Sequence, residues 1–150
     1  MPKDSNKKHI NPALVCKNGI NRIIDANINR LKEGLRVSEE ITRFILNNTK
    51  LTSDFKKIRH DIDSVVRLFP AKLRLLKARD SQGDTGKNIY INELKRKSYG
   101  DIFFANIQRA KESARVLEEF GKLVNSRIAL KLKNIRYALY KLERKTAFKL

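Results

Sequence analysis

Residues 26–41 read ANINRLKEGLRVSEEI and residues 105–120 read ANIQRAKESARVLEEF, so ten of sixteen positions recur identically, 79 positions apart, in a chain of 150. A shared need to bury one face of a helix selects only for apolar type. The repeated Asn, Arg and Glu therefore need a separate explanation.

Working outward from the first copy, Ile24, Ile28, Leu31, Leu35, Ile41 and Ile45 recur at helical intervals. They predict one long amphipathic helix from Asn21 to about Leu46, stopped by Asn47-Asn48-Thr49. Thr52 and Ser53 are candidate N-caps for a second helix with Phe55, Ile58, Ile62, Val65, Val66 and Phe69 as its stripe, ended or kinked by Pro70. After the basic segment AKLRLLK comes ARDSQGDTGK (78–87), the clearest non-helical feature. Ser98-x-x-Asp101 starts a third helix running through the second copy to about Val124, and a fourth follows Asn125-Ser126 to about Thr146.

The shorter helices echo each other as well, KKIRHDI (56–62) against KNIRYAL (133–139). The fold class is therefore all-α: a helical bundle of two pseudo-symmetric helical hairpins joined by a Gly/Asp loop. Residues 1–19, with Pro2, Pro12, Gly19 and scattered Lys, read as a flexible basic tail, and residues 20–150 as a single helical domain.

The formal net charge of +18 calls for anionic partners: nucleic acid, acidic lipid or phosphorylated small molecules. Its basic residues are dispersed, so it is equally read as solubilising surface. A single Cys, no secretory leader and no apolar run of about 18 residues predict a cytoplasmic chain with no membrane partner.

On a helix, Asn27, Arg30, Gly34, Val37 and Ile41 fall along one stripe, as do Asn106, Arg109, Ser113, Val116 and Phe120. The small residues permit close approach to the helix backbone, and Asn and Arg one turn away, aimed at the bundle interior, suit a phosphorylated, hydrogen-bonding ligand. The alternative is that they fix helix register across a two-fold axis. Glu33, Arg36, Glu39 and Glu40, with Glu112, Arg115, Glu118 and Glu119, read as ordinary i,i+3 and i,i+4 pairs.

In the loop, Gly83 and Gly86 permit backbone amides to face an anion, Arg79 and Lys87 supply charge, and Asp80 and Asp84 are candidates either to hold a magnesium ion or to take a proton from a hydroxyl. The other reading is an exposed turn. His60, beside Arg59, reads either as a surface residue or as a phosphate contact.

With A-N-x-x-R-x-x-E-x-x-R-V-x-E-E twice and A-R-D-x-x-G-D-x-G between, the chain resembles the small hydroxymethylpyrimidine-phosphate kinase family of thiamine biosynthesis, a domain often fused ahead of thiamine-phosphate synthase. The resemblance runs from about Arg22 to Glu143 and implies phosphoryl transfer, from ATP with Mg2+, onto 4-amino-5-hydroxymethyl-2-methylpyrimidine phosphate. It implies a functional link to thiamine-phosphate synthase; with no synthase barrel following the bundle, the expectation is a kinase acting as a standalone protein, with a homodimer allowed. Assigned from the chemistry, the catalytic residues are Arg59, Arg79 and Asp84. Substrate binding falls to Asn27, Arg30, Asn106, Arg109 and His60, the phosphate loop to Gly83, Thr85 and Gly86, and the metal to Asp80 and Asp84. The alternative is a basic helical module that binds nucleic acid or a protein partner without catalysis; nucleic acid is the less favoured partner.

Overall fold

The computed structural model describes residues 12–150. Five α-helices follow in order among the described residues: α1 (Pro12–Glu40), α2 (Thr49–Val66), α3 (Lys72–Ala78), α4 (Tyr99–Gly121) and α5 (Ser126–Ala147). The four long ones close a ring in which α1 packs on α4, α4 on α5, α5 on α2 and α2 on α1, while α3 lies against α1. The bundle of two pseudo-symmetric hairpins is thus present, and no helix among the described residues is long and apolar enough to cross a membrane.

The core is the sum of the apolar stripes. Phe55 and Phe103 are fully buried and meet edge to face with centroids 6.5 Å apart. Around them lie Leu31, Leu35, Ile62, Ile107, Leu117, Leu132 and Leu139. Burial of each such side chain contributes about 1.5–3 kcal/mol.

Helix α1 starts at Pro12, ahead of Asn21, so residues 12–19 are helix and not tail, while residues 1–11 lie outside the described residues. Proline at a first helical position costs no hydrogen bond and has its φ already set. Gly19, read as part of the tail, is carried inside the helix at a cost of about 1 kcal/mol relative to alanine. The far end of α1 passes into a π-helical turn, Ile41–Ile45, closed by the Leu46 amide donating to the Ile41 carbonyl (3.0 Å). Asn47 then takes a left-handed φ of 47°, a conformation Asn tolerates better than most residues.

The cap of α2 is Asn48 and not Thr52 or Ser53, because the Asn48 Oδ1 already accepts from the Leu51 amide at 2.9 Å. Thr52 is buried instead, its hydroxyl 3.2 Å from that of Thr42. Helix α2 ends at Val66, four residues before Pro70, and the basic segment beyond forms α3, burying Leu75 and Ala78. The expected cap of α4 is present, with Ser98 Oγ accepting from the Asp101 amide and Asp101 Oδ2 accepting from the Lys97 amide.

Gly34 explains the closest contact of the bundle. A Cβ there would lie 2.7 Å from the Asn106 carbonyl oxygen, so the backbones of α1 and α4 meet at this point. What approaches the small residue is the other copy of the signature. Farther back on α1, Asn27 borders the same groove as Ser113 and Val116 farther along α4, so the two signature helices run antiparallel.

Candidate functional site

The repeated glutamates and the echoed Ile-Arg pairs are two ends of one device. Glu39 is fully buried and receives Arg59 in a two-point ion pair, Nε to Oε2 and Nη2 to Oε1. In the second half, Glu118 receives Arg136 in the same way at 2.7 and 3.3 Å. The expected pairs along α1 and α4 also exist: Arg36 lies 3.8 Å from Glu39, and Arg115 lies 3.2 Å from Glu118. The closer partner in each case comes from the neighbouring helix. Contacts with Glu118 and the Tyr140 hydroxyl hold the Arg136 guanidinium charged, above its ordinary range. Arg59 is thus engaged with Glu39, and neither it nor the exposed His60 lines a cleft described below.

The other half of the signature faces outward. A cleft of about 690 Å³ lies between α1 and the Gly/Asp loop, with Asn27, Arg30, Arg79, Asp80 and Asp84 on its walls. A second of about 440 Å³ lies between α1 and α4, bounded by Asn27, Arg30, Arg109 and Glu93. Asn27 and Arg30 belong to both, so the two clefts meet at these side chains along one face of α1. The structure therefore brings together Asn27, Arg30, Arg79, Asp80, Asp84 and Arg109.

Arg30 and Arg109 are exposed on the groove wall instead of aimed at the bundle interior, because desolvating a guanidinium without a carboxylate is costly. Neither has a hydrogen-bond or ion-pair partner among the described residues. Their charge is free to meet an anion. Asn27 is buried, and its Nδ2 donates to the Ile23 carbonyl at 2.9 Å, leaving Oδ1 toward the groove without a partner among the described residues. Asn106 makes the same bond to the Ile102 carbonyl but borders neither cleft.

Arg79 is positioned by a residue the sequence reading missed. Asp25 accepts from its Nε and Nη2 at 2.7 and 2.9 Å, leaving Nη1 for a ligand. Those hydrogen bonds hold the Arg79 pKa above its ordinary value. The signal was present: Asp25 interrupts the apolar stripe beside Ile24 and Ile28, and its counterpart in the second copy is Phe104.

The loop differs from the expected anion cradle. The Gly83 amide donates to Asp80 Oδ1 (2.8 Å) and the Gly86 amide to Asp84 Oδ1 (2.9 Å), so both amides are taken by the loop's own carboxylates. Thr85 is exposed beside them. Each carboxylate keeps its Oδ2 without a hydrogen bond among the described residues. No cluster of three or more His, Cys, Asp or Glu that could hold a metal exists among the described residues. One or two carboxylates are nonetheless the usual protein share for Mg2+ bound together with substrate phosphates, and Asp80 and Asp84 fit that share.

The structure defines a class of small all-α bundles with an arginine-lined polar groove on the signature helices. Within it, this chain belongs to the ThiD2 family, whose profile matches residues 22–145. It is 39% identical over 120 residues to the thiamine-phosphate synthase of Rhodopirellula baltica, covering 79% of this chain and 32% of that protein. It is 41% identical over 123 residues to the thiamine-phosphate synthase of Nostoc punctiforme, covering 81% of this chain and 34% of that protein. The chain thus spans about a third of the length of these curated relatives. No solved structure matches.

Proposed function

We propose that this chain acts in thiamine biosynthesis and transfers the γ-phosphoryl group of ATP to 4-amino-5-hydroxymethyl-2-methylpyrimidine phosphate, giving the diphosphate and ADP. The observation that carries the reading is a pair of guanidinium groups without partners among the described residues, Arg30 and Arg109, on adjoining clefts whose walls also hold Asn27, Arg79 and the two loop carboxylates. Kinship with thiamine-phosphate synthases supports the metabolic setting.

In the reaction, a phosphate oxygen of the acceptor forms a bond to the γ-phosphorus while the bond from that phosphorus to the β,γ-bridging oxygen breaks, and ADP leaves with the electron pair. A phosphate monoester loses its second proton near pH 6, so at neutral pH the nucleophile needs no general base. The task left to the protein is to hold two polyanions together. Arg30 and Arg109 neutralise the acceptor phosphate, and Arg79, fixed by Asp25, offers Nη1 to the transferring group. Asp80 and Asp84 would hold Mg2+, which when bound supplies charge neutralisation between phosphate oxygens.

A thermal-shift titration tests the reading. A ligand at 100 times its dissociation constant adds about 2.7 kcal/mol, so the pyrimidine phosphate and ATP with Mg2+ should each raise the melting temperature. Stabilisation by duplex DNA or RNA alone, declining steeply with salt, would instead support the nucleic-acid module.

A further inference from the structure

Beside the charged groove lies a pocket of different character. It occupies about 440 Å³ between α1, the end of α2 and α3, with Ile28, Val66, Phe69 and Leu75 supplying apolar walls. Asp25, Asn29 and Arg79 belong both to this pocket and to the phosphate-facing cleft, so the two are separated only by the Asp25–Arg79 ion pair and the Asn29 side chain.

Resting on the function proposed above, we infer that this pocket takes the aminopyrimidine ring of the acceptor, with its phosphate across the Asp25–Arg79 pair in the groove. Three features point to this occupant. The apolar walls suit the two faces of a planar ring. The Asn29 Nδ2 donates to the Asp25 carbonyl at 3.0 Å, and its Oδ1 has no partner among the described residues, so it can accept from the ring's exocyclic amine. Finally, the two compartments share wall residues, so ring and phosphate must be joined by a short linker. The acceptor has a single methylene there, whereas the base of a nucleotide stands a ribose away from its phosphates.

The inference makes Asn29 and the apolar walls specificity determinants for the acceptor and not for ATP. The test fills the pocket from its rim with Ala71→Trp and, separately, Leu76→Trp, both exposed residues of its lining. Steady-state ATP-consumption assays should show KM for the pyrimidine phosphate raised at least about tenfold, with KM for ATP changed less than about twofold. A rise in KM for ATP instead would assign the pocket to the nucleotide base, and no change in either would remove the ring from it. A second readout needs no turnover: methyl resonances of Ile28, Val66 and Leu75 should shift on adding the free aminopyrimidine alcohol to the unaltered protein, and stay put in Ala71→Trp. The analogue lacking the amino group should bind at least about tenfold more weakly, because Asn29 Oδ1 is left unpaired. Turnover without these shifts would overturn the pocket and spare the reaction. Shifts without turnover would overturn the reaction and spare the pocket.

Discussion

Replacing Arg59 by methionine separates the two kinds of arginine in this fold. The Glu39 carboxylate is fully buried, and Arg59 supplies both of its close contacts. With Arg59 gone, the nearest cation is Arg36 at 3.8 Å, on a side chain about half exposed. Removing one partner of a buried pair costs about 3–5 kcal/mol, and the residual attraction of Arg36 places this case near the lower end. For a chain of this size about 3 kcal/mol corresponds to a fall in melting temperature of roughly 6–12 °C. The assay is urea unfolding followed by circular dichroism at pH 7, with the slope unchanged between variants so that the midpoint reports stability. Glu39→Met combined with Arg59→Met should recover much of the loss, since an apolar pair of similar volume replaces a desolvated charge. A loss below about 1 kcal/mol for Arg59→Met, or a double variant no better than the single, would refute the view of this pair as the buried clamp between α1 and α2.

The remaining predictions follow the same division. Arg30→Ala and Arg109→Ala should each lower kcat/KM by roughly 10- to 100-fold, the worth of a charge-assisted hydrogen bond or two, with the urea midpoint unmoved; unfolding of both variants would favour the register-fixing role. Gly34→Ala should destabilise by about 1–3 kcal/mol because its Cβ meets backbone, whereas Gly19→Ala, with nothing within 4 Å, should stabilise by about 0.5–1 kcal/mol. Equal effects of these two glycine changes in denaturant melts would contradict the close approach of α1 and α4. Asp84→Asn should reduce turnover more than stability, as expected of an exposed loop, and wild-type rates in that variant would take the loop out of the mechanism.

The sequence carried the hairpin repeat because both copies sit on long helices with sustained apolar periods. It carried the helical positions of Arg30 and Arg109 for the same reason, since these follow from spacing along one helix, but not their exposure on the groove wall. It did not carry the partners. Glu39 meets Arg59 across 20 residues and Asp25 meets Arg79 across 54, and helical spacing says nothing about contacts between elements. The echo of Ile-Arg at 58–59 and 135–136 was visible, but its meaning required seeing both arginines reach a glutamate of the neighbouring helix. Helix α3 escaped because seven residues hold only two turns, and the start of α1 because Gly19 and Pro12 look like punctuation, although a first-turn proline suits a helix and a single glycine only weakens one. The loop amides were misjudged because Asp80 and Asp84, taken as metal ligands, also close the turns on which they sit.

The central claim is that the groove is built around an acceptor phosphate, and paired ATP-consumption assays on the pyrimidine monophosphate and the free pyrimidine alcohol test it most directly. With the alcohol bound, Arg30 and Arg109 face no anion and the nucleophilic oxygen lies a phosphate's length short of the transferring group. Sites built to pair a group that a rival lacks discriminate by roughly 10⁴- to 10⁵-fold. Turnover of the monophosphate with no measurable turnover of the alcohol at matched concentration is the predicted result; comparable rates on the two would contradict it.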